Sequence, residues 1–403
     1  MNLKDKLNRF NSQITQTQNK NAVSPKLSSR YQKLADALGG ELVSNFAGTY
    51  CLVKRLYPFN HQHGNQILKK KKVTIPVDAF TVRTSDISVP IEKLLFFDIE
   101  TTGLGGSGAV AFLVGFASIT DLGFEIRQYM LVDYTDETAM LEDILKEISD
   151  EKTIVSYNGA TFDLPFMQER MILKRVAKEF KTDIHIDLLH ATRRFYKRRL
   201  QNCKLTNIEE RMFSFYREED IPGYLVPSVY FEWLNSEELG MMDDVLEHNR
   251  LDILSLYFIL LEIFEMYQSK GKSVQEIDDL HSLSKMFHRK KNYTISQAVN
   301  EQIHSIATEE ISTDILFFQA MQFKKIQQFE HAVSIWNQII EQNCKESLYC
   351  HIELAKYYEH KVKDYQMALE YASQAQQFNQ TSERIQIELV KRINRLSSKI
   401  QSK

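Results

Sequence analysis

Residues 94–104 read LLFFDIETTGL. The run KLLFFDIE is apolar almost without a break, and two of its residues are aromatic. That is the pattern of a central strand covered on both faces. The run ends in Asp98 and Glu100, two residues apart. Side chains two apart on a strand project from the same face. Two carboxylates held about 4 Å apart repel by about 4 kcal/mol at an effective dielectric near 20. A strand that ends this way either faces water or gives onto a cation. Hard oxygen donors of this kind suit magnesium or manganese. The stretch by itself leaves both readings open.

Around this strand the text is α/β from about 91 to 268. GAVAFLVGFASI and FEIRQYMLVD read as two further strands, the first just past the glycine-rich turn GLGGSG. DETAMLEDILKEIS at 136–149 has the apolar spacing of an amphipathic helix. TIVSYNG reads as a strand, FDLPFMQERMIL opens a helix, DIHIDLLH is a strand end, and a long helix runs from Met242.

A chain of 403 residues with 43% hydrophobic content suggests two or more domains with real cores. Residues 1–30, rich in Gln, Asn and Ser, are expected to be a disordered tail. Residues 31–90 hold short strands, in ELVSNFAGTYCLVKRLYP, and a loop or solvated edge at KKKK, 69–72. From 275 to 395 the text is all-helical and repeats. Ala298, Ala332 and Ala368, spaced 34 and 36 residues apart, each open a similar apolar stripe. That period suits helix-hairpin repeats of the tetratricopeptide type, in which small residues let helices approach closely. A plain helical bundle is the blander alternative.

With 50 basic and 53 acidic residues the net charge is -3, so any nucleic-acid contact must come from local patches. The four cysteines form no C-x-x-C pair, which speaks against a zinc site or a disulfide frame. No apolar run reaches the length of a membrane helix. MNLKDKLNRF lacks the apolar core of a secretion signal. A cytoplasmic protein with no membrane contact is expected.

Two more stretches carry chemistry. YNGATFD holds Asn158 and Asp163 between a strand and a helix, where the plain reading is a turn residue and a helix cap. HNRLD holds His248 and Asp252, four apart and so on one face of the long helix. The apolar run ILSLYFILL that follows buries this helix, and a buried carboxylate needs a partner. Taken in order, DIETTGL, NGATFD and HNRLD resemble the three motifs of the DEDD superfamily of 3′→5′ exonucleases, over about 91 to 265. The resemblance implies an α/β, ribonuclease H-like fold, a mixed sheet flanked by helices, here followed by an all-α repeat domain. His248 has the spacing of one branch of that superfamily and the residue type of the other. The whole chain resembles a bacterial subfamily of ribonuclease H-like proteins.

The resemblance implies roles. Asp98, Glu100, Asp163 and Asp252 would ligate two ions of Mg2+ or Mn2+, with Asp98 bridging them. His248 would be the general base. Thr101 and Thr102 would hydrogen-bond the terminal nucleotide of a DNA or RNA single-stranded 3′ end, and Asn158 would shape the turn or contact the substrate. RRFYKRR at 193–199 offers Arg193, Arg194 and Arg198 to phosphates and Phe195 or Tyr196 to a base. The alternative there is a solvated helix whose aromatics point inward. HRKK at 288–291 reads as a surface loop. The helical repeats would bind a protein partner. Two other functions stand beside exonuclease: a repeat scaffold with an inactive nuclease domain, and a structure-specific endonuclease on the same fold.

Overall fold

A computed structural model describes residues 25–401 apart from 82–85, 107, 149–151, 177–179, 181–182, 237 and 379–381. The chain divides into two compact units, with the boundary between Glu265 and Met266.

In the first unit, Pro25–Leu38 forms α1. Of the expected tail, 1–24 lies outside the described residues, while 25–30 open this helix, a correction to the tail's boundary. Arg30 then donates to the carbonyls of Trp233 and Leu234, both at 2.9 Å.

Seven strands form one mixed sheet. They are β1 (Glu41–Asn45), β2 (Gly48–Pro58), β3 (Leu94–Thr101), β4 (Ala111–Ile119), β5 (Gly123–Leu131), β6 (Thr153–Ser156) and β7 (His185–Asp187). Their spatial order is β1-β2-β5-β4-β3-β6-β7. β3, β4 and β5 run antiparallel, and β6 and β7 run parallel to β3. β3, carrying the acids, is therefore central, as its apolar run requires. Strands β1 and β2 extend the same sheet, because β2 pairs with β5 from Tyr50 to Pro58 and removes what would be an open edge. Two short antiparallel pairs complete the strands: Gln62–His63 with Gln66–Ile67, and Thr74–Pro76 with Ser88–Pro90. Lys69 to Lys72 form loop between them.

Six helices of the first unit flank the sheet: α2 (Glu137–Glu147), α3 (Asp163–Leu173), α4 (Leu188–Tyr196), α5 (Leu205–Phe213), α6 (Val226–Ser236) and α7 (Met242–Gln268). The two faces of the sheet differ. Phe97, Ile99 and Phe112 turn into an apolar core shared with α1, α2, α3 and α6. A ring stack of Phe112 on Tyr230 at 4.1 Å and the buried pair Arg170–Glu137, at 2.6 Å, hold that side. Each such fully buried aromatic or aliphatic side chain contributes about 1.5–3 kcal/mol. The other face, with Asp98 and Glu100, is crossed by α7. Gly115 of β4 stands opposite Asp98 and lets α7 come close: a Cβ there would lie 2.4 Å from Asn249 Oδ1 and 2.3 Å from Ile253 Cδ1.

The second unit is helical: α8 (Ile277–Arg289), α9 (Tyr293–Ile306), α10 (Thr313–Lys325), α11 (Phe329–Glu341), α12 (Ser347–Tyr357), α13 (Tyr365–Gln376) and α14 (Glu383–Gln401). Ala332 and Ala368 are fully buried, each the fourth residue of its helix, but Ala298 is exposed. The buried small residue at the matching place in α9 is Ser296, so the three buried positions lie 36 residues apart. Ser296 bonds Ser284 and Gln322 in a buried polar group, so the first pair of helices is closed by hydrogen bonds instead of alanine contacts.

Candidate active site

The site is assembled on the α7 face of the sheet. Asp98 and Glu100 leave β3 on the side toward α7, and a register shift at Glu100/Thr101 ends the regular pairing there. Asp163, the first residue of α3, is buried, and the backbone N–H groups of its own residue and of Ile99, the residue between the two β3 acids, favour its charged form. Asp252 arrives from α7, one turn after His248.

These carboxylates act on one another. Burial, then the charges of Asp252, Asp163 and Glu100, push Asp98 well above the usual carboxylate range, against a bond from Asn249 Nδ2 at 2.8 Å. Burial pushes Glu100 up to about 8, with Asp252 and Asp163 adding to it and His248 opposing. Burial likewise pushes Asp163 up to about 7, with help from Asp187 and Asp252. Desolvation and like charge are two of the causes that move a buried acid toward its neutral form.

His248 has the opposite behaviour. Burial disfavours its charged form, yet the hydrogen bond to Asp220 and the charges of Asp252 and Glu100 outweigh that and raise it to about 9. Its Nδ1 lies 2.8 Å from Asp220 Oδ1, and its Nε2 lies 4.0 Å from Asp252 Oδ2. This upward shift favours the doubly protonated imidazole at neutral pH, in contrast to the near-neutral value expected of a base.

Sequence reading missed the partners that hold these groups. Arg217 donates through Nε and Nη2 to the buried Glu209 at 2.7 and 2.6 Å, through Nη1 to Asp220 at 3.1 Å, and through Nη2 to Asp252 Oδ1 at 2.5 Å. One loop residue thus holds three carboxylates. The stretch REEDIPG was visible, but nothing in it announced these distant partners. Asn249 was also missed. Its Oδ1 accepts from Gln128 at 2.8 Å while its Nδ2 donates to Asp98. Asp187 is a third. It accepts from the backbone N–H groups of Asn158, Ala160 and Leu189 at 2.9, 3.1 and 3.0 Å, capping α4 and fixing the turn before Asp163.

The other expected site residues are placed as follows. Asn158 shapes that turn: its φ is 69° and its Oδ1 accepts from Thr161 Oγ1 at 2.8 Å. Thr101 Oγ1 donates to the Gly103 carbonyl at 2.9 Å, and Thr102 Oγ1 accepts from the Val110 N–H at 3.0 Å, so both hydroxyls brace the glycine-rich loop. Arg193 and Arg198 are exposed. Arg194 is half-buried, with Nη2 3.5 Å from the Phe80 carbonyl. Phe195 and Tyr196 are buried, which corrects the expectation that either stacks on a base: both rings fill core space beneath α4.

As donors, four carboxylates fit hard divalent cations. Among the described residues, no three Asp, Glu, His or Cys side chains are already drawn into a metal cage. Asp252 has one oxygen, Oδ1, engaged by Arg217, while its Oδ2 lies 4.0 Å from His248 Nε2. All four cysteines are free thiols. No helix among the described residues is long and apolar enough to cross a membrane. In the second unit, a cavity of about 570 Å³ is lined by Lys324, Lys325, Lys356, Lys361, Phe329 and Tyr357, with Glu353 bonded by Lys324 and by Lys356.

Comparison with known proteins agrees with the fold. Residues 95–263 match the RNase_H superfamily. An uncharacterised protein of Bacillus subtilis, YprB, is 32% identical over 342 residues, covering 82% of this chain and 81% of that one. Among solved structures, the family B DNA polymerase of Pyrobaculum calidifontis is similar at 17% identity and a TM-score of 0.35, over 62% of this chain and 34% of the polymerase. The Aedes aegypti Nibbler EXO domain is similar at 17% identity and a TM-score of 0.21, over 52% of this chain and 86% of that domain. The chain belongs to the family of YprB, and its first unit carries a domain of the ribonuclease H superfamily.

Proposed function

We propose that this protein is a divalent-metal-dependent nuclease that removes nucleotides from the 3′ end of DNA or RNA. The observation that carries the reading is the mutual influence of Asp98, Glu100, Asp163 and Asp252, three of which are pushed toward protonation by burial and by each other. A cluster that resists its own ionisation is one a cation would stabilise.

Asp98, Glu100, Asp163 and Asp252 are the residues that would hold Mg2+ or Mn2+, two ions in this proposal. Bound there, such ions supply charge for the developing phosphate oxygens and lower the pKa of a water. The chain's own groups do the rest. Arg217 fixes Asp252 from one side, leaving Oδ2 toward the site. Asn249 sets the orientation of the Asp98 carboxylate. Asp220 holds the Nδ1–H of His248, so the proton that His248 exchanges with water is the one on Nε2. The charges of Asp252 and Glu100 keep that proton in place, and offsetting them frees Nε2 to serve as base. Thr101 and Thr102 hold the loop beside the terminal nucleotide, and Asn158 holds the turn before Asp163. Arg193 and Arg198, exposed on and just beyond α4, would meet phosphates farther along the strand.

The test is incubation of the full chain with end-labelled single-stranded DNA and RNA in Mn2+, Mg2+ or chelator. Shortening from the 3′ end, lost in chelator and in Asp98→Ala, supports the reading. Internal cuts would make the protein an endonuclease on the same fold. No cleavage in any metal, with Asp98→Ala indistinguishable from wild type, would remove the activity. A second reading, a tetratricopeptide-like scaffold for a protein partner, is favoured by the lysine-lined cavity of the helical unit, whose charge suits an acidic segment.

A further inference from the structure

We infer that Tyr216 and Tyr224 are the base-stacking residues of this site, and that its substrate is a strand with unpaired bases. The inference rests on the nuclease reading above. The loop between α5 and α6 is anchored to the site at two points, Arg217 on Asp252 at 2.5 Å and Asp220 on His248 at 2.8 Å. Its inward residues are spoken for. The Phe215 ring stacks on His63 at 3.8 Å, Arg217 is buried between carboxylates, and Ile221 is 5% exposed. Tyr216 and Tyr224 are the exposed rings of this loop, at 68% and 81%.

Tyr216 is the residue next to Arg217, and Tyr224 is four residues from Asp220. At about 3.5 Å per residue neither backbone can stray more than about 14 Å from a residue that touches His248 or Asp252. The loop that carries these rings is held at Arg217 and Asp220, which lowers the ordering cost of its backbone in a contact. Between them Glu218 and Glu219 are exposed. Their charge repels phosphates, so what this loop offers a strand is ring faces. An aromatic ring stacks on any base whose face is free, and in a duplex those faces are covered by neighbours. The aromatics of the basic stretch on α4 cannot do this work, since both are buried.

The experiment uses the full chain with Asp98→Asn, to prevent cleavage, in Mg2+. Fluorescence anisotropy measures binding of a labelled short oligothymidylate, a labelled oligouridylate and a blunt DNA duplex. Replacing both tyrosines by alanine is expected to weaken strand binding by about tenfold or more, while Tyr→Phe at both positions keeps it within about twofold. Duplex binding is expected to be weaker in the parent and unmoved by either change. Strand binding within about twofold of the parent in the double alanine variant, or a parent preference for duplex, would overturn the assignment while leaving the nuclease reading intact. If the parent binds none of the three probes and wild type degrades none, the nuclease reading falls and this inference falls with it.

Discussion

Two charged stretches of the first unit look alike as text and behave differently in the fold. On β3, Asp98 and Glu100 alternate with Phe97 and Ile99, and the alternation sorts them: the apolar residues go to the core and the acids to the α7 face. On α4, RRFYKRR has its aromatics side by side at 195 and 196. Adjacent helix positions are only about 100° apart, so one wide face buries both rings and leaves Arg193 in solvent. The lesson concerns partners. The acids collect further acids from α3 and α7, whereas the rings collect only core. A dense patch of polar side chains from distant segments is a functional signal; a basic run along one helix is foremost a surface.

The largest effect should separate the two at once. Asp98→Ala is expected to lower metal-dependent cleavage by roughly a thousandfold or more, since charge stabilisation of this kind is worth several kcal/mol. Single-turnover rates on a labelled strand measure it. A rate within about tenfold of wild type would mean the acids are not the reacting centre.

Next in size is Arg217→Ala, expected to cost about 3–5 kcal/mol, because it strands the buried carboxylate of Glu209. Denaturant unfolding reads it, and adding Glu209→Gln should recover part of the loss. Phe195→Ala belongs beside it, at about 3–5 kcal/mol for a fully buried ring. A loss below about 1 kcal/mol would show that the ring is not core and would make it a candidate for base stacking again.

What could be read from the sequence follows the same division. DIETTGL, NGATFD and HNRLD carry their information in short spacings, and strand and helix periods convert those spacings into shared faces. The central place of β3 followed from its unbroken apolar run. Arg217, Asp220, Asn249 and Asp187 reach Asp252, His248, Asp98 and Asn158, which lie 28 to 151 positions away, and no local pattern encodes such pairings. The spacing of the buried small residues in the helical unit differs from the alanine spacing for a physical reason: burial in α9 falls on Ser296, a small polar residue, and Ala298 two positions later is exposed. Strands β1 and β2 read correctly as strands, but their joining of the main sheet depends on the edge of β5.

The acids also set a pH dependence. The folded pKa values of Glu100, Asp163 and His248 are raised, to about 8, 7 and 9, above ordinary values of 4.5, 3.8 and 6.5. A raised folded value means that stability is present below the unfolded pKa and is lost as pH rises through the folded one. In chelator, the Tm should therefore fall as pH rises from about 4 to about 9, and Mn2+ should restore it at the alkaline end. A Tm that is flat over this window, or unmoved by Mn2+, would argue against cation binding by these carboxylates.

The smallest effect tests the basic stretch. Arg193→Ala with Arg198→Ala removes two exposed cations, and each exposed charge contributes at most about 1 kcal/mol to stability, so the Tm should hardly move. If the arginines meet phosphates, strand affinity should weaken several-fold, and the slope of log affinity against log salt should become shallower by about 0.7 for each phosphate no longer neutralised. The same double change should leave the cleavage rate of a bound strand unaltered, because it touches no group near the acids. An unchanged salt slope would make the seven residues a solvated helix end and nothing more, and would leave the strand to be held by the α5–α6 loop and the acid face alone.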